Sequence, residues 1–128
     1  MKILGIGVDI IENKRIKNSI KNIQFMKRIY SLNELNLSKT IKNKTNYFSK
    51  RYAAKEAFAK ALGTGFRINL NFKDIEIIND KMGKPHFVKT KKITSIIQKK
   101  FKVKNFNCFL SISDEKDYSI AFTIVQKI

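Results

Sequence analysis

The segment from Tyr47 to Leu62 constrains this chain more than any other. Ala54, Ala57, Phe58, Ala61 and Leu62 recur there at i, i+3, i+4, i+7 and i+8, the spacing of one stripe on an α-helix. Gly63-Thr64-Gly65 closes the segment, and glycine is the natural residue just past a helix C-terminus. At about 100° per residue, Glu56 and Lys60 lie roughly opposite the stripe. They are therefore free to face a site or another subunit.

Other elements follow from local patterns. Residues 3–11 read as a buried strand with Leu4, Ile6, Val8 and Ile10 on one face and Gly5, Gly7 and Asp9 on the other. The two glycines leave room for close backbone packing or for a ligand. Between Asn13 and Tyr30, apolar residues at helical spacing predict short basic amphipathic helices. Ser31 and Glu34 form a capping box for the next helix, and the polar stretch Ser38–Asn46 reads as a loop or frayed helix end. Asp74–Asn79 reads as a strand that turns through residues 79–85 into Phe87 and Val88; Ile93, Ile96, Ile97 and Phe101 predict one more helix. Phe106–Ser113 and Tyr118–Val125 alternate as two strands joined by the acidic turn 114–117. The expectation is one α+β domain over residues 1–128, a small antiparallel sheet packed against a long central helix and shorter helices.

Charge narrows the partners. With 27 Lys and Arg against 10 Asp and Glu, the formal charge is +17, which favours an anionic partner. Nucleic acid, anionic lipid, a phosphorylated small molecule and an acidic protein all qualify, and part of the excess can reflect a Lys-, Asn- and Ile-rich genome. Many Phe and Tyr side chains keep a basic nucleic-acid-binding protein as the rival reading, although no zinc-finger spacing or stacking motif accompanies them. Cys108 stands alone in an apolar run, so no disulfide framework is expected and a cytoplasmic setting fits best. The start of the chain reads as a strand and not a signal peptide, and no run reaches the roughly 18 apolar residues of a membrane helix.

The few carboxylates are informative. Glu34 reads as a cap, Asp80 and Asp117 as turn residues, and Asp74 as a strand flank. Asp9 lies within an apolar strand, where a carboxylate needs a lysine partner or a metal ion. Glu56 and Lys60 form an i, i+4 pair that ordinarily stabilises a solvated helix face. Taken together, Asp9 and Glu56 can instead hold a magnesium ion, with Lys60 one turn away as a point charge for a phosphate and Arg51 and Lys55 adding positive charge. Such a set suits metal-assisted phosphoryl transfer.

The strand Gly5-Ile6-Gly7-Val8-Asp9-Ile10, the helix from Arg51 to Gly65 and the turn Gly83-Lys84-Pro85 resemble the holo-acyl-carrier-protein synthases, in order and in approximate spacing. The resemblance implies a 4'-phosphopantetheinyl transferase fold. It also implies transfer of 4'-phosphopantetheine from coenzyme A to a serine of apo-acyl carrier protein, for fatty acid biosynthesis, with release of adenosine 3',5'-bisphosphate. Carried over residue by residue, Asp9 and Glu56 hold Mg2+, Lys60 stabilises phosphate charge, and Glu56 helps deprotonate the serine. Arg51 and Gly63, Thr64 and Gly65 then lie near coenzyme A, and Arg15, Lys21 and Arg28 meet the acidic carrier. A homotrimer with shared active sites is also implied, with neither nucleic acid nor membrane insertion. An inactive carrier-binding module is the remaining alternative, against which the joint presence of Asp9, Glu56 and Lys60 argues. The chain departs from many relatives at Asp114, where they carry histidine near coenzyme A; its own His86 reads as a strand or surface residue.

Overall fold

The computed structural model describes residues 2–128. Strand β1 (Lys2–Glu12) opens the chain, followed by helices α1 (Asn13–Ser19), α2 (Ile23–Ile29), α3 (Leu32–Ser38) and the long α4 (Lys44–Leu62). A 3-10 turn at Phe72–Asp74, strands β2 (Ile77–Asn79) and β3 (Pro85–Phe87), helix α5 (Lys91–Phe101) and the hairpin β4 (Phe106–Asp114) and β5 (Tyr118–Lys127) complete it. The main sheet is antiparallel in the order β1-β5-β4, while β2 and β3 pair separately. The expected α+β arrangement is therefore present.

Helix α4 lies against one face of the main sheet, and small residues make that approach possible. A Cβ on Gly5 would sit 1.8 Å from the Ala61 carbonyl oxygen, and one on Gly7 would sit 1.8 Å from that of Ala57. On the same face β5 contributes Ser119, Ala121, Thr123 and Val125, all fully buried. This inverts the expected strand burial. The glycine face of β1 is the inner one, whereas Ile6, Val8 and Ile10 are 58%, 53% and 58% exposed. Pairing in register with Ile124, Phe122 and Ile120, they form a continuous apolar outer face that Phe109 extends across β4.

Local chemistry explains most boundaries. Ser31 and Glu34 form the expected reciprocal capping box at α3. Helix α4 begins at Lys44 and not near Tyr47, because Asn43 caps it through the Asn46 backbone N–H at 3.0 Å. The expected loop thus ends one turn earlier, the first turn being polar and carrying no periodic apolar residue. Asp74 closes the 3-10 turn, and the expected strand shrinks to Ile77–Asn79.

Candidate active site

Asp9 shares the inner face of β1 with Gly5 and Gly7, which bring the strand against α4 where Glu56 and Lys60 emerge. The Lys60 Nζ lies 3.1 Å from Asp9 Oδ1 and donates to the Val8 carbonyl oxygen at 3.0 Å. The Asp9 side chain is 15% exposed and that of Lys60 53%, so the pair sits at the surface and not in the core. The helical Glu56–Lys60 pair is therefore not a solvated stripe; it closes onto a residue 51 positions away.

Glu56 is half-buried beside this pair. Its carboxyl is raised above the ordinary value by burial and then by the charge of Asp9, with Lys60, Tyr52 and Arg15 opposing. The Tyr52 phenol is likewise raised, by burial and by Glu56. Two carboxylates held close enough to repel each other suit a divalent cation, which would relieve the repulsion. Among the described residues no third His, Cys, Asp or Glu joins them, so a bound ion would keep most positions for water and substrate.

The remaining expected residues fall in several places. Gly63 ends α4 with φ of 75°, donating its N–H to the Lys60 carbonyl at 3.0 Å; open space surrounds it and Gly65, and the Thr64 hydroxyl donates to the Gly65 carbonyl at 3.1 Å. This turn therefore flanks Lys60. Arg15 joins the cluster, its guanidinium 5.7 Å from the centre of the Tyr52 ring, whereas Lys21 and Arg28 are exposed around α2 near the 67%-exposed Ile23.

Arg51 is not brought to the Asp9 cluster. It lies about 140° around the helix from Glu56. Its Nη2 donates to Asn79 Oδ1 at 3.3 Å, and its guanidinium covers the Tyr47 ring at 3.8 Å. It lines a separate cleft of about 500 Å3 with Tyr47, Lys50, Asn43 and Asn79, and its buried Nε has no hydrogen-bond partner. Lys55 corrects the expectation of a cation-rich catalytic helix. It is fully buried, 2.7 Å from Glu34 Oε1, and donates to the carbonyls of Phe72 and Ile75. Glu34, expected only as a cap, is also the buried counter-ion, and it accepts from the Ile77 backbone N–H at 3.0 Å. His86 is an exposed partner of Asp80 at 3.2 Å, and Asp114 accepts from the Asn46 side-chain amide. The sequence reading did not single out Tyr52, one helical turn before Glu56, which is buried and stacks on Phe25 and Phe72.

Residues 5–123 match the family model of the 4'-phosphopantetheinyl transferase superfamily. The chain belongs to this family. A holo-[acyl-carrier-protein] synthase of Pelagibacter ubique is 65% identical over 127 residues, covering 99% of each chain. The crystal structure of holo-[acyl-carrier-protein] synthase from Neisseria meningitidis superposes with a TM-score of 0.87 at 39% identity, covering 98% of this chain and 100% of that one. The Bacillus anthracis synthase, solved in complex with coenzyme A (3',5'-ADP), gives 0.82 at 36% identity with 98% of each chain covered. No helix among the described residues is long and apolar enough to cross a membrane. The nucleic-acid reading finds little support in the aromatics: Tyr30, Phe48, Phe58 and Phe106 are fully buried.

Proposed function

We propose that this phosphopantetheinyl transferase moves 4'-phosphopantetheine from coenzyme A to a serine hydroxyl of apo-acyl carrier protein, in fatty acid biosynthesis in the cytoplasm. The observation that carries the reading is the meeting of Lys60 of the helix with Asp9 of the strand, with Glu56 beside them. The serine oxygen forms a bond to the phosphorus that bears the pantetheine arm. The bond from that phosphorus to the bridging oxygen breaks, and adenosine 3',5'-bisphosphate leaves with the electron pair. Asp9 and Glu56 would hold Mg2+, which would supply charge neutralisation on the pyrophosphate. Glu56, raised by burial, accepts the serine proton directly or through a water. Lys60 leaves Asp9 to meet a phosphate oxygen as a point charge. The open turn at Gly63, Thr64 and Gly65 leaves room for substrate next to it.

The outer sheet face supplies the interface of a homotrimer. A continuous apolar patch of this kind on a soluble chain marks a contact surface. Arg51 and the Asp9 cluster lie on different sides of α4, so both serve one coenzyme A only where subunits share a site. Arg15, Lys21 and Arg28 steer the acidic carrier toward the Asp9 cluster.

Incubation with coenzyme A, Mg2+ and an apo-carrier protein should add one phosphopantetheine mass to the carrier. Unchanged mass across several carriers, with folded protein, rejects the reading. Phe122→Asp should reduce the trimer to monomers in light scattering; an unchanged wild-type monomer would reject the interface.

A further inference from the structure

Tyr47 and Arg51 stand four residues apart on α4, so their side chains share one face of the helix. The Arg51 guanidinium carbon lies 3.8 Å from the centre of the Tyr47 ring, a distance of direct contact. Both residues are buried, at 6% and 5% exposure, yet both line the cleft of about 500 Å3 that Asn43, Lys50 and Asn79 complete. The ring is itself anchored. Its hydroxyl donates to the Glu34 carbonyl oxygen at 2.7 Å, and it meets Phe48 edge-on at 5.0 Å and 84°.

A buried guanidinium is ordinarily held by a carboxylate, whose two oxygens occupy its fork. Here the fork is left largely unspent. Glu34 Oε2 stands 3.9 Å from Nε, beyond hydrogen-bond reach, and already accepts from the Ile77 N–H at 3.0 Å. Among the described residues the one hydrogen bond of Arg51 runs from Nη2 to Asn79 Oδ1 at 3.3 Å, and the buried Nε has none. An aromatic face attracts the cation without engaging the N–H donors along its edge. The charge is therefore fixed in place while that edge stays available, which is what bidentate recognition of a phosphate needs.

We propose that Tyr47 is a positioning residue whose ring carries the Arg51 guanidinium by its face, so that the guanidinium edge is presented to a phosphate group in the cleft. The inference rests on the reading that places coenzyme A beside Arg51. It adds the residue that acts through Arg51 and gives the reason why an aromatic ring, and not a carboxylate in hydrogen-bond contact, holds this arginine.

Calorimetric titration of the intact protein with coenzyme A in EDTA tests this apart from turnover, with wild type, Tyr47→Leu, Tyr47→Phe, Arg51→Ala and the Tyr47→Leu, Arg51→Ala double variant compared. Tyr47→Leu should weaken binding roughly tenfold, as loss of a desolvated cation–π contact does, whereas Tyr47→Phe keeps the ring and should stay within about threefold of wild type. In transfer assays the Tyr47→Leu loss should appear in KM for coenzyme A, with kcat nearly unchanged. The double variant should bind no more weakly than Arg51→Ala alone, because Tyr47 acts only through Arg51. Wild-type affinity in Tyr47→Leu overturns the proposal, and so does a double variant whose loss is the sum of the two single ones. If Tyr47→Leu does not fold, Arg51→Lys decides: it keeps the charge without the planar fork, and wild-type affinity there overturns the proposal too. Wild-type affinity in Arg51→Ala would reject the placement of coenzyme A at Arg51 itself, an outcome distinct from failure of Tyr47 alone.

Discussion

Replacing Lys55 by methionine separates folding from chemistry on α4. The Lys55 ammonium is fully buried and satisfies three acceptors: Glu34 Oε1 at 2.7 Å, the Phe72 carbonyl at 3.0 Å and the Ile75 carbonyl. Methionine fills much of the same volume but donates nothing. Glu34 would keep the N–H groups of Ser31 and Ile77 and the more distant Arg51 at 3.9 Å, yet its charge would lose its close counter-ion. Breaking one partner from a buried pair costs about 3–5 kcal/mol, a large share of a typical total of about 5–15 kcal/mol. With a urea m-value of about 2 kcal/mol/M, the midpoint should fall by roughly 1.5–2.5 M. Urea unfolding followed by circular dichroism, at one fixed protomer concentration, reads this directly. The double variant Glu34→Gln with Lys55→Met removes both charges and should lose less than Lys55→Met alone. A single variant within about 1 kcal/mol of wild type, a loss no larger than an exposed pair would give, refutes the reasoning. A normal midpoint with abolished transfer would return Lys55 to the chemistry.

Gly7→Ala should destabilise the protein and slow transfer together. The new Cβ would meet the Ala57 carbonyl oxygen at 1.8 Å and the Ala61 nitrogen at 2.7 Å, so α4 must move and carry Glu56 and Lys60 away from Asp9. The cost is about 1–3 kcal/mol or more, read by thermal unfolding beside a transfer assay, and full activity at the wild-type midpoint would show that the helix contact is slack. Asp74 gives a pH dependence. Burial pushes its carboxyl up, but Lys92 at 2.6 Å and the Asn71 backbone N–H outweigh it and hold the folded value below 3.8. A depressed folded value contributes stability that is present above pH 3.8 and lost as pH falls through that lower value. Asp74→Asn should therefore cost up to about 1 kcal/mol at pH 6, with the gap closing in acid. Urea midpoints that differ equally at pH 6 and pH 3 would contradict this.

What the sequence disclosed was chiefly what neighbouring residues decide. The capping box at Ser31 and Glu34, the β4–β5 hairpin and the glycine stop after Leu62 each rest on contacts within a few positions, and each is present. The burial of β1 depended on distant residues. Hydrophobicity assigns Ile6, Val8 and Ile10 to the core, yet the inner face belongs to Gly5 and Gly7 because the helix they meet presents Ala57 and Ala61. A readable sign existed: paired glycines two apart on a strand match small residues four apart on a helix, a pattern for close approach and not for greasy filling.

Helix α4 shows why the site itself was harder to read. Lys55 and Glu56 are adjacent and both charged, but about 100° of rotation separates a lysine buried against Glu34 from a half-buried carboxylate beside Asp9. Periodicity marks the alanine stripe and then treats every other position as solvent-facing. Three faces are in fact occupied: alanines against the sheet, Arg51 and Lys55 around Glu34, and Glu56 and Lys60 beside Asp9. Only a partner 21 residues away in one case and 51 in the other distinguishes the lysine buried on Glu34 from the one paired with Asp9 at the surface. The residues themselves joined Asp9 with Glu56 and Lys60, and the resemblance to a family supplied the substrate. It could not supply Lys55 its role, because a residue held inside the fold and one held at the reaction leave the same mark in a motif.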